Sequence, residues 1–165
     1  MLRSDTEFIL LDKRQRNEII ECARLMAGSE PWITLKRTSH DIRRIIKDPT
    51  SEVHVARAHD ETIGFAIIKM KGAFTGYIQS IVIKPEYRGQ GIGSSFIGYL
   101  ERRILTEHPN VFICVSSFNP DARRLYERLG YEAIGELRDY IVRGHAEILM
   151  RKTVAPLSEF RRGGK

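Results

Sequence analysis

The chain has 165 residues, of which 42% are hydrophobic and 29% charged, as expected for one globular domain with its own core. No apolar run approaches the roughly 20 residues of a membrane helix, and the N-terminus lacks the basic-then-apolar leader of a signal peptide. The net charge is +6, without the basic stripe or interleaved aromatic residues typical of nucleic-acid binders. A small polyanionic ligand accounts for this excess as well. We therefore expect a cytoplasmic protein without a membrane partner.

The two cysteines, Cys22 and Cys114, lie in apolar stretches and form no CxxC pair. This pattern predicts reduced, buried thiols in a cytoplasmic protein. Four histidines show no spacing typical of metal ligands: His40, His54, His59 and His108. The sequence therefore predicts no metal site.

The first part of the chain predicts one strand and two helices. Residues 7–12 form the strand, and residues 13–27 place apolar side chains on one helical face. We expect these side chains to be Ile19, Ile20, Ala23, Met26 and Ala27. Gly28 ends this helix, an irregular link containing Pro31 follows, and Ser39 caps a second helix that ends before Pro49.

The remainder predicts strands alternating with helices. Residues 51–60, 63–70 and 77–84 read as strands in an antiparallel meander. A long helix covers about residues 91–107, and 110–117 is an apolar, central strand. A helix over 119–129 starts at Asn119 with Pro120 in its first position and ends at Gly130. Two more strands complete an α/β fold with a mixed, mostly antiparallel, seven-stranded sheet and four helices. We predict a single domain over residues 1–155 and a disordered basic tail over 156–165.

Three glycines lie between the third meander strand and the long helix: Gly89, Gly91 and Gly93. Glycine allows a sharp turn that exposes backbone N–H groups, and a helix N-terminus adds unpaired N–H groups and a positive dipole end. Arg88 adds a charged donor, so the segment can bind a pyrophosphate. It can equally be only a tight turn. The sequence of this glycine segment matches neither the phosphate-binding P-loop motif nor the dinucleotide-binding motif GxGxxG.

The spelling Arg88-x-x-Gly91-x-Gly93, preceded by "IVIKPEY", resembles the acetyl-coenzyme A loop of the GNAT N-acetyltransferases. The segment "NPDARRLYERLGYEAIGE" resembles a second motif of that family, at the correct distance. Its matching residues are Asn119, Ala122, Leu125, Tyr126, Gly130 and Tyr131. The resemblance covers residues 50–137 well, and the element order extends it to most of the chain.

The resemblance implies that acetyl-CoA is the co-substrate and that two strands, 77–84 and 110–116, splay apart to admit its pantetheine arm. The arm pairs with the backbone of Ile81, Val82 and Ile83. The pyrophosphate lies on N–H groups of Arg88, Gly89, Gln90, Gly91, Ile92, Gly93 and Ser94. Asn119, Ala122 and Tyr126 complete the cofactor site, although Asn119 has an equal role as a plain helix cap.

The resemblance makes Tyr126 the catalytic candidate, because a tyrosine hydroxyl can donate a proton or hydrogen bond to the departing thiolate. It lies two helical turns after Asn119 and so on the same face. A core tyrosine is the alternative. Many family members carry a glutamate base on the strand before the loop, but Tyr77 and Gln79 stand in that region here. Three other residues are possible bases: Glu30, His145 and Glu147. A chain of water molecules is an alternative, and no base is needed if the amine arrives neutral.

The acceptor site falls, by resemblance, on the link between the first two helices and on the last strands. Glu30 can meet a cationic amine, and Trp32, Tyr77 and Tyr140 can line its pocket. We expect acetyl transfer to a primary amine of a small molecule or a peptide, by direct attack in a ternary complex, in a monomer or homodimer. Two alternatives stay open: a coenzyme A-binding regulatory module without turnover, and a basic nucleic-acid-binding protein.

Overall fold

A computed structural model describes residues 6–162, which form one mixed sheet of seven strands in the order β1-β2-β3-β4-β5-β7-β6. The strands are β1 (Thr6–Leu10), β2 (Ser51–Ala58), β3 (Glu61–Lys69), β4 (Tyr77–Ile83), β5 (Asn110–Ser116), β6 (Glu132–Arg138) and β7 (Ala146–Thr153). The α-helices are α1 (Arg16–Ala27), α2 (Ser39–Lys47), α3 (Ile92–Leu105) and α4 (Pro120–Arg128). The predicted α/β class, strand number and helix number are confirmed.

Strands β2 to β4 form the predicted antiparallel meander, and β1 pairs antiparallel with β2 at its edge. Strand β3 is buried over Thr62–Ile68 because both faces of the sheet are covered there. One face packs Phe65 and Ile67 with α1 and α2, and the other packs Ala66 and Ile68 with α3. Two hydrophobic layers therefore hold the sheet between them.

The start of α2 differs from the prediction. Thr38, and not Ser39, is the N-cap: its Oγ1 accepts the backbone N–H of Asp41 at 3.2 Å, and the Asp41 carboxylate accepts the N–H of Thr38 at 3.0 Å. This reciprocal pair is a capping box. An aspartate three residues after Thr38 completes the box, so the helix begins at Ser39, one residue earlier than a Ser39 cap implied.

Two predicted helices are shorter than expected. Helix α1 begins at Arg16 and buries Ile19, Cys22, Ala23 and Met26. Cys22 therefore belongs to the buried face, whereas Ile20 is only half-buried. Helix α3 covers Ile92–Leu105.

Both cysteines are free, as predicted, but Cys114 is half-buried and not fully enclosed.

The sheet opens between β4 and β5. These parallel neighbours pair only at Tyr77 with Phe112 and at Ile78 with Ile113. A bulge in β4 follows at once, because Ile67 and Ile68 of β3 face Ser80 and Ile78, which leaves Gln79 as the extra residue. Beyond this point β4 and β5 separate, which leaves a slot in the middle of the sheet.

Residues 156–162 follow the last strand and include a turn in which the N–H of Glu159 donates to the carbonyl of Pro156. The remainder of the predicted disordered tail, residues 163–165, lies outside the described residues, so the tail and the 1–155 domain bounds stay predictions. Among the helices within residues 6–162, none has the length and apolar character needed to cross a membrane.

Candidate active site

The junction between β4 and α3 presents a run of unpaired backbone donors. The N–H groups of residues 89–94 donate to no acceptor within residues 6–162. Gly89 and Gly91 have φ angles of +72° and +79°, in the region that favours glycine. A Cβ added at Gly89, Gly91 or Gly93 would meet no atom within 4 Å, so the space above these N–H groups is open. A phosphate fits this cradle, whose donors a helix N-terminus supplies.

Arg88 lies at the edge of the cradle. Its Nε donates to the carbonyl of Ile83 at 2.9 Å, which fixes the guanidinium between the end of β4 and the glycines. The two terminal nitrogens have no partner in the described part of the chain. They remain available for a phosphate oxygen, which a guanidinium binds with charge-assisted hydrogen bonds.

The edge of β4 that faces the slot carries the three residues predicted to hold the pantetheine arm. Ile81, Val82 and Ile83 pair with β3 on one side, and no β5 residue pairs with them on the other. An extended arm with amide groups can add there as a strand would. The Ile83 carbonyl is already occupied by Arg88, so pairing falls on the backbone before it.

Asn119 keeps its structural role at the start of α4. Its Oδ1 accepts the N–H of Ala122 at 3.3 Å, as an N-cap does. Its side-chain amide nitrogen has no partner among residues 6–162 and can still donate to a pantetheine carbonyl. The cap and the predicted cofactor role are therefore compatible for both Asn119 and Ala122.

Tyr126 is the buried residue of α4, with 7% of its surface exposed. Its ring packs in the α3-side core and lies 6.0 Å from the ring of Tyr131, centroid to centroid. The hydroxyl makes no hydrogen bond to any described residue. Burial raises the pKa of this hydroxyl above its usual range, so it stays protonated at physiological pH and can act as a donor.

The opposite face of the slot carries two of the predicted acceptor residues. Tyr77 on β4 lies beside Cys114 of β5 and near Tyr140, which belongs to the loop between β6 and β7. Burial, reinforced by Cys114, raises the pKa of Tyr77. Burial also raises the pKa of the Cys114 thiol. The structure thus places Tyr140 within electrostatic range of Tyr77, although the two are far apart in sequence.

Glu147 stands out among the three possible bases. It is only 4% exposed, and one of its carboxylate oxygens accepts the hydroxyl of Ser116 at 2.7 Å. His145 instead lies in the loop before β7, where its ring packs against Phe118 at 4.7 Å between centroids. The sequence analysis did not single out Ser116, because only the pairing of β5 with β7 places it opposite Glu147.

Glu30 and Trp32 have local contacts in the link between α1 and α2. The Glu30 carboxylate accepts the N–H of Thr34 at 3.2 Å, and Trp32 packs against the core under α1 and α2. Within residues 6–162, no hydrogen bond, ion pair or ring contact joins either residue to Tyr77. Their predicted roles toward the acceptor stay predictions.

Other features of the described surface do not compete with the slot. No group of three or more His, Cys, Asp or Glu residues within 6–162 is arranged to hold a metal ion. A hollow of about 940 Å³ lies at the start of α1, but its floor is an ion pair between Glu18 and Arg57 with a 2.7 Å contact. This hollow is wide open and lies apart from the glycine cradle.

A slot between splayed parallel strands, with a donor cradle at its end, defines a class of acyl-coenzyme A-binding α/β domains. The model of the acetyltransferase (GNAT) family matches residues 13–131. The chain therefore belongs to the GNAT acetyltransferase family, and the resemblance of the two motifs is confirmed. Membership supports an acetyl-CoA-dependent acetyltransferase and agrees with the open cradle.

Several solved structures share this fold. An aminoglycoside 6'-N-acetyltransferase in complex with coenzyme A is 18% identical, with a TM-score of 0.73 over 91% of this chain and 98% of that chain. The NatC complex bound to a Gag peptide and CoA is 18% identical, with a TM-score of 0.74 over 92% and 99%. A spermidine/spermine N-acetyltransferase from Vibrio cholerae is 21% identical, with a TM-score of 0.66 over 91% and 93%. At these identities the likeness concerns the fold.

Proposed function

We propose that the protein transfers the acetyl group of acetyl-CoA to a primary amine by direct attack in a ternary complex. The observation that carries this proposal is the unpartnered hydroxyl of Tyr126, on the helix that borders the slot. In the proposed complex the cradle holds the pyrophosphate and the edge of β4 holds the pantetheine arm. The thioester then lies between β4 and β5.

Tyr126 donates a hydrogen bond to the sulfur as the carbon–sulfur bond breaks. A tyrosine has a reference pKa of about 10 and a thiol about 8.5, and burial raises the pKa of Tyr126 further. Full proton transfer from the tyrosine to a thiolate is therefore unfavourable. Hydrogen-bond donation stabilises the negative charge that develops on sulfur in the transition state, and this contribution needs no ionised tyrosine.

Two observations favour direct attack on the thioester by an amine. Cys114, the thiol nearest the acceptor side, is a poor nucleophile because burial raises its pKa and thiolates are the reactive form. An acyl-cysteine intermediate is therefore disfavoured. The structural neighbours include enzymes named for aminoglycoside and spermidine N-acetylation, and both acceptor types carry primary amines.

The test is the substitution Tyr126→Phe, assayed by thiol release with a panel of amines and N-terminal peptides. The ring and its packing remain, so thermal stability and coenzyme A affinity should stay within a few-fold. Turnover should fall by roughly 10- to 1000-fold, the range of one positioned donor. Tyr131→Phe is the matched control, because it removes an equally buried hydroxyl, one near Glu101, and its ring lies 6.0 Å from that of Tyr126, centroid to centroid.

The control should keep parental turnover. Turnover equal to that of the parent in the Tyr126→Phe variant would contradict the donor role.

A coenzyme A-binding module without turnover is the second candidate, favoured by the absence of a carboxylate at Tyr77 and Gln79 of β4. Thermal stabilisation by coenzyme A without thiol release for any amine would establish that module instead.

A further inference from the structure

The Glu147 carboxylate is buried without a cation. Its residue is 4% exposed, and within residues 6–162 its polar contact is the hydrogen bond from the Ser116 hydroxyl at 2.7 Å. Burying a carboxylate costs several kcal/mol unless a cation or several donors compensate it. A single serine hydroxyl compensates only part of this cost, so the site favours a positively charged guest.

The carboxylate lies on the acceptor side of the slot. In β5, Ile113 and Val115 point to the core that contains Tyr126. Ser116 is adjacent to Val115, and strand alternation directs it to the other face. Glu147 pairs with Ser116, three residues beyond the last contact of β5 with β4. A thioester between the strands would thus have Tyr126 on one face and Glu147 on the other.

Two titratable groups lie near Glu147 on this face: Tyr77 of β4 and Cys114 of β5. Burial raises the pKa of both, and the charge of Glu147 raises it further. His145, in the loop before β7, packs against Phe118. Tyr140, from the loop before β7, lies close to Tyr77. On β6 the partner in register is Leu137, and the basic residue that shares the β7 face is Arg151, which makes no ion pair with Glu147.

We propose that Glu147 binds the ammonium group of the acceptor and removes its proton before attack, with Ser116 as its positioning residue. This inference rests on the proposed function and names its acceptor class: a primary amine that is cationic in solution. Aromatic rings attract ammonium groups through their π faces, so Tyr77 and Tyr140 suit the sides of such a pocket. The carboxylate supplies the charge at its end.

The proposed step balances as follows. One ammonium proton moves to the Glu147 carboxylate, and the freed nitrogen lone pair forms the new bond to the thioester carbon. The carbon–sulfur bond then breaks with its electron pair on sulfur, which accepts the second nitrogen proton, while Tyr126 stabilises the charge on sulfur. The products are an amide and coenzyme A thiol, and Glu147 returns its proton to water.

Burial makes Glu147 a stronger base than an exposed glutamate. Desolvation raises its pKa above 4.5, whereas the Ser116 hydrogen bond lowers it. A base is most effective when its pKa approaches the working pH. An arriving ammonium group stabilises the ionised carboxylate through its opposite charge, so the base is ionised when the substrate binds.

The test compares Glu147→Gln with the parent in thiol release at several pH values, using amines that the parent acetylates. Glutamine keeps the shape and can still accept the Ser116 hydroxyl, so coenzyme A stabilisation should persist. Melting temperature should stay equal or rise, because a desolvated charge is removed. Turnover should fall by roughly 10²- to 10⁴-fold, with a higher KM for the amine. The control Glu132→Gln, at the exposed start of β6, should behave as the parent.

The pH profile separates a base from a structural residue. The parental rate should decline as pH falls through the pKa of Glu147, and this acidic limb should be absent in Glu147→Gln. Ser116→Ala removes the hydrogen bond that lowers the pKa of Glu147, so the acidic limb should move to higher pH. If Glu147 and Ser116 had only structural roles, neither substitution would shift the acidic limb of the pH–rate profile.

Three outcomes would overturn the inference. If the parent releases no thiol with any amine, both the proposed function and this role fail. If the parent is active and Glu147→Gln matches its rate and pH profile, only the role of Glu147 fails. If Glu147→Gln loses stability or coenzyme A binding together with turnover, the residue is structural.

Discussion

Gly93 allows the acetyl-CoA cradle to be blocked without straining the fold. It lies in the first turn of α3, and a side chain there would meet no atom within 4 Å. Gly91, in contrast, has φ +79°, and a β-branched residue would be strained there. We therefore predict that Gly93→Val blocks the phosphate position while the domain stays folded.

The effect of valine on helix stability and the effect of coenzyme A on melting temperature differ enough in size to be separated. In a helix interior valine is roughly 0.3 kcal/mol or more favourable than glycine, which corresponds to about 1 °C in melting temperature for a chain of this size. Coenzyme A at about 100 times its Kd stabilises the parent by about 2.7 kcal/mol, or roughly 5–10 °C. The Gly93→Val variant should therefore keep the small gain in melting temperature from valine and lose the stabilisation by coenzyme A.

The assay is thermal unfolding with and without coenzyme A over a range of concentrations. Gly98→Val is the matched control, because Gly98 lies in the same helix and its nearest contact is the flexible end of Arg102 at 3.7 Å. This control should keep the coenzyme A shift. A full shift in the Gly93→Val variant would refute the assignment of the cradle, as would a parent that millimolar coenzyme A does not stabilise.

Three further changes test other parts of the fold. Gly64→Ala should lower the free energy of unfolding by about 1–3 kcal/mol and weaken coenzyme A binding in thermal titrations. The reason is that the added Cβ would lie 2.5 Å from the Val82 carbonyl oxygen. Unchanged stability and binding would contradict the tight β3–β4 contact. Thr38→Ala should cost about 1 kcal/mol in denaturant unfolding, and Ser39→Ala much less; the reverse order would contradict the observed cap. Cys22 should resist thiol labelling at pH 8 until the chain unfolds, because burial raises its pKa to about 12; rapid labelling of the native protein would count against this burial.

The sequence determined the features that depend on nearby residues. Arg88 and the glycines after it are adjacent in the chain, so the cradle at the start of α3 was predictable from the local sequence motif. Asn119 and Tyr126 share one face of a short helix because two turns separate them. Alternating apolar residues predicted the β2–β4 meander, since each strand pairs with its neighbour in the chain. The Ser39 prediction was wrong because Thr38 competes for the same local role and also has Asp41 as its reciprocal partner.

Only the tertiary structure decided which distant groups meet at the slot. Ser116 and Glu147 are 31 residues apart, and their contact depends on the register of β5 with β7, which skips β6 in sequence order. Tyr77 and Tyr140 likewise come from distant parts of the chain, β4 and the loop before β7. Burial also has this origin: nothing local distinguishes Glu147 from an exposed glutamate, because the low-dielectric surroundings that raise its pKa come from neighbouring strands and the loop before β7.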